Sequence, residues 1–400
     1  MSTATPPAEK LSARSSRRRS ARALVNPVLV YLGSRVVVLV AAGVASLISE
    51  TAGRPLATGP WPSVPASRFP LVAVLERWDS AWWINLAKDG YPAGLPSGNP
   101  LGRFSFFPLY PLLVRGVAAT GVPVQYAALL TSTLLGAVAV ALLWLFCRDV
   151  TDSATADRAC ALFCFFPGSL VLSMAYSEPV MLVCALGCLL ALHRRQWVAA
   201  GAAAAVATAA RPTAVALCFA CAWAAAVAVR RRREWRAIIA PVLSPIGALA
   251  FFAYLGNRTG HVDAWFISQR DAWHERFDLL SLPHRLWIAA GHPVTHSGTL
   301  HDANHLVALL GTVFIIGALA PLLRAGLPGH VVVYTVVTIV LILGSVTIGA
   351  RPRLILAAFP LLIPLAARLS DRTFPPVLAA SGTLLGAFSV LTLSTLSATP

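Results

Sequence analysis

Long apolar stretches recur along almost the whole chain, and this feature most limits how it can fold. The hydrocarbon core of a bilayer, about 30 Å thick, is crossed by a helix of about 20 apolar residues. The stretches are continuous rather than alternating, which favours helices over membrane-spanning strands. We therefore predict an all-α polytopic membrane protein with a bundle of about eleven transmembrane helices. The predicted spans lie at about 24–48, 123–147, 157–176, 178–193, 197–210, 212–229, 237–256, 303–323, 329–348, 352–368 and 376–396.

The composition and the placement of the charges point to lipid as the main partner. Of the 400 residues, 57% are hydrophobic and 12% are charged, and the mean hydropathy is +0.71. The formal net charge of +16 would suit nucleic acid, but the arginines lie in short clusters between apolar stretches. Because the positive-inside rule explains this distribution, we predict the lipid bilayer and no nucleic acid as a partner.

The chain divides into a short basic tail and one membrane domain. Residues 1–23 are rich in Ser, Arg and Pro, which predicts a disordered tail, and residues 24–400 form the predicted transmembrane domain. A cytoplasmic tail places the arginine clusters of the short loops in the cytoplasm as well. Two longer segments, at about 49–122 and 257–302, then lie outside the cell membrane. Their tryptophans predict amphipathic helices at the membrane surface.

The first outer segment holds a carboxylate among aromatic residues. Helical spacing places Asp79, Trp82 and Trp83 on one face, directly after Trp78. Because partial desolvation makes a carboxylate a better proton acceptor, Asp79 is a candidate general base. Alternatively, Asp79 caps a helix or pairs with Arg77.

Charged residues also occur where predicted spans meet the outer surface. They are Glu178 after Tyr176-Ser177, Arg211 at an Ala-Arg-Pro-Thr break, and Arg351 and Arg353 at the start of another span. Arginines on this side oppose the positive-inside bias and are costly in a bilayer unless paired with an anion. A guanidinium suits phosphate geometry, so a lipid-linked phosphate is one candidate partner. Pairing with Glu178 or Asp79 is the alternative, and helix capping alone explains the Ser-Glu-Pro sequence around Glu178.

Two aromatic segments complete the candidate binding residues. The run Phe104–Pro111, which includes Tyr110, is broken by prolines and predicts a re-entrant segment or the wall of a lipid groove. Gln269, Arg270 and Trp273 combine hydrogen-bond donors with aromatic faces, a combination that holds sugars. An ordinary interfacial helix explains these three residues equally well.

A metal site has weak support in the sequence. His292/His296 and His301/His305 have the i, i+4 spacing that can hold a divalent metal on one helix. Glycine and proline nearby argue against one helix, so we assign no metal ligands and no cofactor, and metal dependence stays open. The cysteine pairs of the predicted spans are interpreted as small packing residues.

Several motifs in a fixed order resemble the PIG-V family of membrane mannosyltransferases. They are Trp78-Asp79 leading to Gly90-Tyr91, Phe107-Pro108-Leu109-Tyr110-Pro111, Tyr176-Ser177-Glu178, Ala210-Arg211-Pro212-Thr213, Gln269-Arg270-Asp271-Ala272-Trp273 and Arg351-Pro352-Arg353-Leu354. The likeness covers roughly residues 76–365. The family comprises the GPI mannosyltransferase 2-like enzymes and their bacterial relatives. It implies a glycosyltransferase of the GT-C fold, with a catalytic carboxylate in the first outer loop.

The resemblance also implies roles for individual residues. Asp79 would deprotonate the acceptor hydroxyl, assisted by Glu178, and Arg211, Arg351 and Arg353 would hold the phosphate of a polyprenyl-phosphate mannose donor. The sugar would be transferred with inversion to a glycolipid or cell-envelope acceptor. The remaining motif residues would bind substrate, and they are Trp78, Trp82, Trp83, Tyr91, Tyr110, Tyr176, Gln269, Arg270 and Trp273.

Two other classes of function fit the same residues. A transporter of a lipid or small molecule would use Glu178 and Arg211 as a substrate or proton path. A non-catalytic subunit would bind a glycolipid or a partner enzyme with its outer aromatic helices. The sequence leaves open the acceptor, the linkage and the oligomeric state.

Overall fold

A computed structural model describes residues 7–51, 69–297, 300–347 and 349–400 of the chain. The first helix begins at Pro7, and residues 1–6 of the predicted tail lie outside the described residues. The division into a tail and a membrane domain at residue 23 stays a prediction.

The described chain is almost entirely helical. Its α-helices are α1 (Pro7–Thr51), α2 (Pro70–Leu75), α3 (Ser80–Asp89), α4 (Leu109–Ala118), α5 (Val124–Val150), α6 (Ser153–Phe165), α7 (Glu178–His193), α8 (Trp197–Thr208), α9 (Val215–Arg232), α10 (Ile239–Leu243), α11 (Ile246–Thr259), α12 (Ala264–Asp271), α13 (Leu282–Gly291), α14 (Asn304–Arg324), α15 (Gly329–Gly344), α16 (Pro352–Ala357), α17 (Leu362–Arg368) and α18 (Phe374–Ser394). Short 3₁₀ helices lie at Asn99–Ser105, Pro167–Ser173, Pro212–Ala214, Trp235–Ile238 and Phe359–Leu361. A small antiparallel hairpin, β1 (Thr295–Ser297) with β2 (Leu300–Asp302), departs from the all-α prediction without forming a larger sheet in the described chain.

Each predicted span coincides with a helix or with neighbouring helical segments. In the described ranges, six stretches are long and apolar enough to cross a bilayer alone, and a seventh span results if α6 and Pro167–Ser173 count as one bent element. The six are Asn26–Ser49, Val124–Val150, Pro212–Arg232, Trp235–Thr259, Asn304–Arg324 and Phe374–Ser394. The remaining predicted spans are the shorter apolar helices α7, α8, α15 and the segment Phe359–Arg368. A multi-pass membrane protein is therefore confirmed, whereas the count of about eleven crossings stays a prediction.

Proline and polar residues explain why several spans are short. The 12 residues of α8 extend about 18 Å, well below the thickness of the hydrocarbon core. This helix ends before Arg211, because the following proline disfavours a helical conformation at that position. Pro179 and Pro352 likewise stand in the first turns of α7 and α16. The charged residues singled out in the sequence therefore lie at breaks between short helices.

Small residues allow the helices to approach closely. A Cβ atom on Gly201 of α8 would lie 2.9 Å from Leu243 Cβ and 3.0 Å from Ala240 Cα of α10. A Cβ on Gly247 of α11 would lie 2.0 Å from the carbonyl oxygen of Ala205. Such contacts are typical of membrane helices, whose association depends on close backbone packing.

The described parts of the two segments predicted to lie outside contact each other. Ser105 Oγ lies 2.7 Å from Ser268 Oγ, which also donates to the carbonyl of Leu101 at 2.8 Å. Trp273 Nε1 donates to the carbonyl of Gly102 at 3.2 Å. A Cβ on Gly102 would lie 2.9 Å from Trp82, so glycine is required for this approach. The two segments thus form one cap that supports the residues around Asp79.

Candidate active site

Asp79 lies at the start of α3 but does not cap it. Its backbone is helical, with φ −63°, and its side chain accepts no capping hydrogen bond. Arg77 donates instead to the carbonyl of Leu393 on α18, so neither alternative from the sequence describes the carboxylate. The side chain of Asp79 is 18% exposed and forms an ion pair with Arg353 Nη1.

The residue before Asp79 has an unusual backbone conformation. Trp78 has φ +62°, in the left-handed region that bulky residues rarely occupy. Its indole Nε1 donates to the carbonyl of Thr392 at 2.9 Å, which anchors the ring on α18. Such strain costs about 1–3 kcal/mol and persists where the surrounding structure enforces it. The chain therefore turns sharply here and directs Asp79 towards Arg353.

Tyr176 and Arg353 connect Asp79 to α7 and α16. The backbone N–H of Asp79 donates to the hydroxyl of Tyr176 at 3.1 Å. The Arg353 guanidinium lies over the Tyr176 ring, 5.3 Å from its centroid, and its Nε is 4.0 Å from Glu178 Oε1. Arg353 is 8% exposed, so its charge is held almost entirely by protein groups.

Glu178 and Arg211 form a second buried ion pair. Arg211 Nη1 lies 2.7 Å from Glu178 Oε1 and also donates to Ser177 Oγ at 3.1 Å. Glu178 is 4% exposed, and its carboxylate oxygens accept no hydrogen bond of good geometry from the described residues. The carboxylate therefore retains capacity to accept hydrogen bonds from a ligand.

A narrow pocket lies beside these charges. Its polar end is formed by Glu178, Arg211 and Arg353. Mainly apolar side chains complete the wall, and they are Met181, Leu182, Thr213, Thr338, Ile342, Leu354 and Ala357. An anionic head attached to an apolar chain is the kind of ligand that this distribution of charge would accommodate.

Arg351 is directed away from this pocket. It donates to Asn304 Oδ1, at the start of α14, and the same oxygen accepts from the Thr399 backbone at 3.0 Å. The contact with Asn304 was missed in the sequence, since nothing local links residue 304 to residue 351. The structure thus groups Arg211 and Arg353 together, and Arg351 does not line the pocket. The predicted contact of Arg351 with a phosphate stays a prediction.

The predicted aromatic binding residues of the first outer segment pack mainly against one another. Trp82 stacks on Phe106 with centroids 5.7 Å apart, and Trp83 meets Tyr110 edge-on at 5.5 Å. The hydroxyl of Tyr110 lies 2.8 Å from Ser132 Oγ of α5, and that of Tyr91 donates to a backbone carbonyl. These buried rings form the wall behind Asp79, and their contact with a substrate stays a prediction.

The predicted sugar-binding residues of the second outer segment have different surroundings. Trp273 lies against Trp82, with centroids 5.7 Å apart. Arg270 is 73% exposed and pairs with its neighbour Asp271. Neither Gln269 nor Arg270 makes a hydrogen bond or ion pair with the Asp79 cluster among the described residues.

The histidine pairs do not share a helix. His292 follows α13, His296 and His301 face each other across the hairpin, and His305 lies in α14. Within the described ranges, no group of three or more His, Cys, Asp or Glu side chains is arranged to hold a metal ion.

Comparison with known proteins supports the family resemblance. Residues 66–255 match the family model described as "Mannosyltransferase (PIG-V)", which includes Asp79, Tyr176, Glu178 and Arg211. The predicted resemblance to the PIG-V family is confirmed. GPI mannosyltransferase 2 of Drosophila pseudoobscura pseudoobscura is 30% identical over 139 residues, which are 31% of this chain and 28% of the relative. The PIG-V match thus covers residues 66–122 around Asp79 and the breaks at Glu178 and Arg211, but not Arg353.

The fold is shared with a solved membrane protein. ArnT from Cupriavidus metallidurans bound to undecaprenyl phosphate superposes with a TM-score of 0.52 at 16% identity, covering 89% of this chain and 64% of ArnT. The apo state of the same protein gives 0.49 at 18% identity, with 88% and 64% coverage. The predicted GT-C-like helical bundle is therefore confirmed as the fold.

Proposed function

We propose that this protein is an inverting glycosyltransferase that transfers mannose from a polyprenyl-phosphate mannose donor to a glycolipid or cell-envelope acceptor. The observation that carries the proposal is the cluster of Glu178, Arg211 and Arg353 at the polar end of a largely apolar pocket, with Asp79 paired to Arg353. The match to the PIG-V mannosyltransferase family and the GT-C-like fold support the same class of reaction.

The reaction requires one proton acceptor and one site for the departing phosphate. The acceptor hydroxyl attacks the anomeric carbon, its proton moves to Asp79, and the bond from that carbon to the phosphate oxygen breaks. Attack from the face opposite the leaving phosphate inverts the configuration. Arg353 and Arg211 are the nearest cations that could stabilise the charge developing on the phosphate.

The two ion pairs are relevant to the order in which the donor binds and the Asp79 carboxylate becomes free. Without substrate, Arg353 is paired with Asp79 and Arg211 with Glu178, which is the pairing alternative raised from the sequence. The donor phosphodiester carries one negative charge, and its two unesterified oxygens could accept hydrogen bonds from both guanidinium groups at once, a geometry that suits their planar forks. Donor binding would then draw Arg353 from Asp79 and leave this carboxylate free for the acceptor proton. Glu178 would keep the arginines oriented.

The pocket wall supports a lipid carrier rather than a nucleotide. Its apolar residues lie on α7, α15 and α16, helices of the membrane bundle, so a polyprenyl chain would enter sideways from the bilayer. The positive-inside distribution of the arginines supports an orientation with this end of the bundle on the outer face of the cell membrane. A lipid donor presented in the outer leaflet would reach the pocket directly.

Transfer of radiolabelled mannose by the purified, reconstituted protein tests this function. We expect transfer from polyprenyl-phosphate mannose but not from a nucleotide-linked mannose, with the opposite anomeric configuration in the product. Absence of transfer across a broad panel of glycolipid and envelope acceptors would contradict the proposal and favour the transporter or the non-catalytic subunit. Retained configuration would contradict the direct attack assisted by Asp79.

A further inference from the structure

Arg35 is a buried arginine inside the first membrane span. It is the tenth residue of the apolar stretch Asn26–Ser49, about 15 Å along the helix, and it is 4% exposed. No Asp or Glu pairs with it among the described residues. An arginine near the bilayer centre costs about 2.5–3.5 kcal/mol on insertion scales, so its presence calls for a function.

The guanidinium of Arg35 is held by backbone carbonyls and hydroxyls of a neighbouring element. Nη1 donates to the Ser169 carbonyl at 2.6 Å and to Ser173 Oγ at 3.0 Å. Nη2 donates to the Cys164 carbonyl at 3.2 Å and to Ser169 Oγ at 3.0 Å. One helical turn earlier, the Tyr31 hydroxyl donates to the Thr133 carbonyl at 2.9 Å.

These acceptors lie where a membrane helix is broken. Helix α6 ends at Phe165, and the chain bends by 75° into the 3₁₀ helix Pro167–Ser173, which we call the Pro167 turn. The last carbonyls of a helix have no intrahelical donors, and in lipid each unsatisfied group costs several kcal/mol. Arg35 supplies donors to carbonyls on both sides of the bend. The Arg35 guanidinium therefore stabilises the sharp break by donating to these carbonyl groups. The carbonyl dipoles in turn solvate its charge.

The Pro167 turn connects Arg35 to the candidate active site by two routes. The chain continues from Ser173 directly to Tyr176 and Glu178, which contact Asp79 and Arg353. The turn also packs against α16, where a Cβ on Gly168 would lie 2.1 Å from the carbonyl oxygen of Pro352 and 2.8 Å from the Arg353 nitrogen. A shift of the turn would therefore displace groups on both sides of Asp79.

We propose that Arg35 is a positioning residue for the transfer reaction, acting through the Pro167 turn to fix Tyr176, Glu178 and Arg353 relative to Asp79. The inference rests on the proposed function, but Arg35 itself does not line the pocket. Its hydrogen bonds go to Cys164, Ser169 and Ser173 around the turn and to Ser34 on its own helix.

Kinetics of Arg35→Gln in the reconstituted enzyme test this inference. A displacement of about 1 Å at reacting groups can lower a rate about 100-fold, so we expect a loss of that order in kcat. Tyr176→Phe removes the hydroxyl that accepts from the Asp79 backbone, and we expect its loss to be less than multiplicative with that of Arg35→Gln. The matched control is Leu322→Ala, a fully buried residue about 27 Å along α14 from Asn304, at the opposite end of the bundle.

Three kinetic results would overturn the positioning role. They are a kcat of Arg35→Gln within twofold of wild type, a loss no larger than that of Leu322→Ala at equal thermal stability, and fully multiplicative losses with Tyr176→Phe. Hydrogen exchange gives a readout independent of activity, since Arg35→Gln should speed exchange in residues 164–178 but not in α9. Unchanged exchange there would also overturn the inference, whereas an inactive wild type with faster exchange in the variant would contradict only the proposed function.

Discussion

Gly168→Ala tests whether the contact between the Pro167 turn and α16 controls the site. The added Cβ would lie 2.1 Å from the Pro352 oxygen, 2.4 Å from its carbonyl carbon and 2.8 Å from the Arg353 nitrogen. All three are backbone atoms, so no side-chain rotation relieves the clash, and α16 must move by about 1 Å. Overpacking of this kind costs about 1–3 kcal/mol of stability. Moving Arg353 away from Asp79 should also lower kcat by about 100-fold.

Gly187→Ala is the matched control for this substitution. Gly187 lies in α7, and a Cβ there would be 4.0 Å from Ala203 Cβ, an ordinary contact. Because alanine favours a helix over glycine, this variant should be as stable as wild type or slightly more stable. Both proteins would be compared by thermal unfolding in detergent and by the mannose-transfer assay. Wild-type stability together with wild-type kcat in Gly168→Ala would refute the reasoning.

Three further predictions concern other parts of the molecule. Burial raises the pKa of Glu76 to about 7, so its contribution to stability is complete below about pH 4.5 and is lost as the pH rises through about 7. Thermal unfolding of Glu76→Gln should therefore vary less between pH 5 and pH 8 than that of wild type. Arg211→Gln removes the nearer cation from buried Glu178 and leaves Arg353 Nε 4.0 Å away, so it should destabilise the protein by less than the about 3–5 kcal/mol of a fully unpaired buried charge, and the double variant with Glu178→Gln should lose less still, as measured by denaturation. A reporter fused after Gly326 should be cytoplasmic and one inserted near Gly98 should be exported; the opposite result would invert the assignment of the outer face.

The helices could largely be predicted from the apolar pattern, whereas their lengths could not. The stretches corresponding to α1, α5, α14 and α18 are uninterrupted and became long helices. At Arg211, by contrast, the sequence left open one kinked helix or two crossings, and the chain forms two helices joined by a 3₁₀ turn. A break can either bend a span or end it. The outcome depends on which neighbouring groups form hydrogen bonds with the backbone N–H and C=O groups freed at the break, and the local sequence does not specify these groups.

Some residues of the site could be predicted, because charged side chains are unfavourable at the ends of apolar membrane spans. Glu178, Arg211 and Arg353 were identified as charges at the ends of apolar stretches, and the structure brings them together beside Asp79. Arg35 was overlooked, although an arginine within the first apolar stretch was itself a visible signal. Its role depends on carbonyl groups of a distant bend, whose position follows only from tertiary packing.

The aromatic residues show a limit of helical spacing. The family resemblance made Trp82 and Trp83 candidates for substrate binding, which stays a prediction, and helical spacing placed them on the face of Asp79; each is 4% exposed. Helical spacing predicts correctly that residues share a face, yet it does not tell whether that face meets a ligand or other side chains. In this chain the face meets Phe106 and Tyr110.

The most direct test of the account is mannose transfer by Asp79→Asn, measured in single-turnover experiments with reconstituted protein. Asp89→Asn is the control, since this carboxylate lies at the other end of α3, is 43% exposed and forms only a 3.5 Å pair with Arg103. The account predicts that Asp79→Asn loses transfer by at least about 100-fold while still binding polyprenyl phosphate, and that Asp89→Asn keeps wild-type rates. Full transfer by folded Asp79→Asn would contradict the assignment of Asp79 as the base.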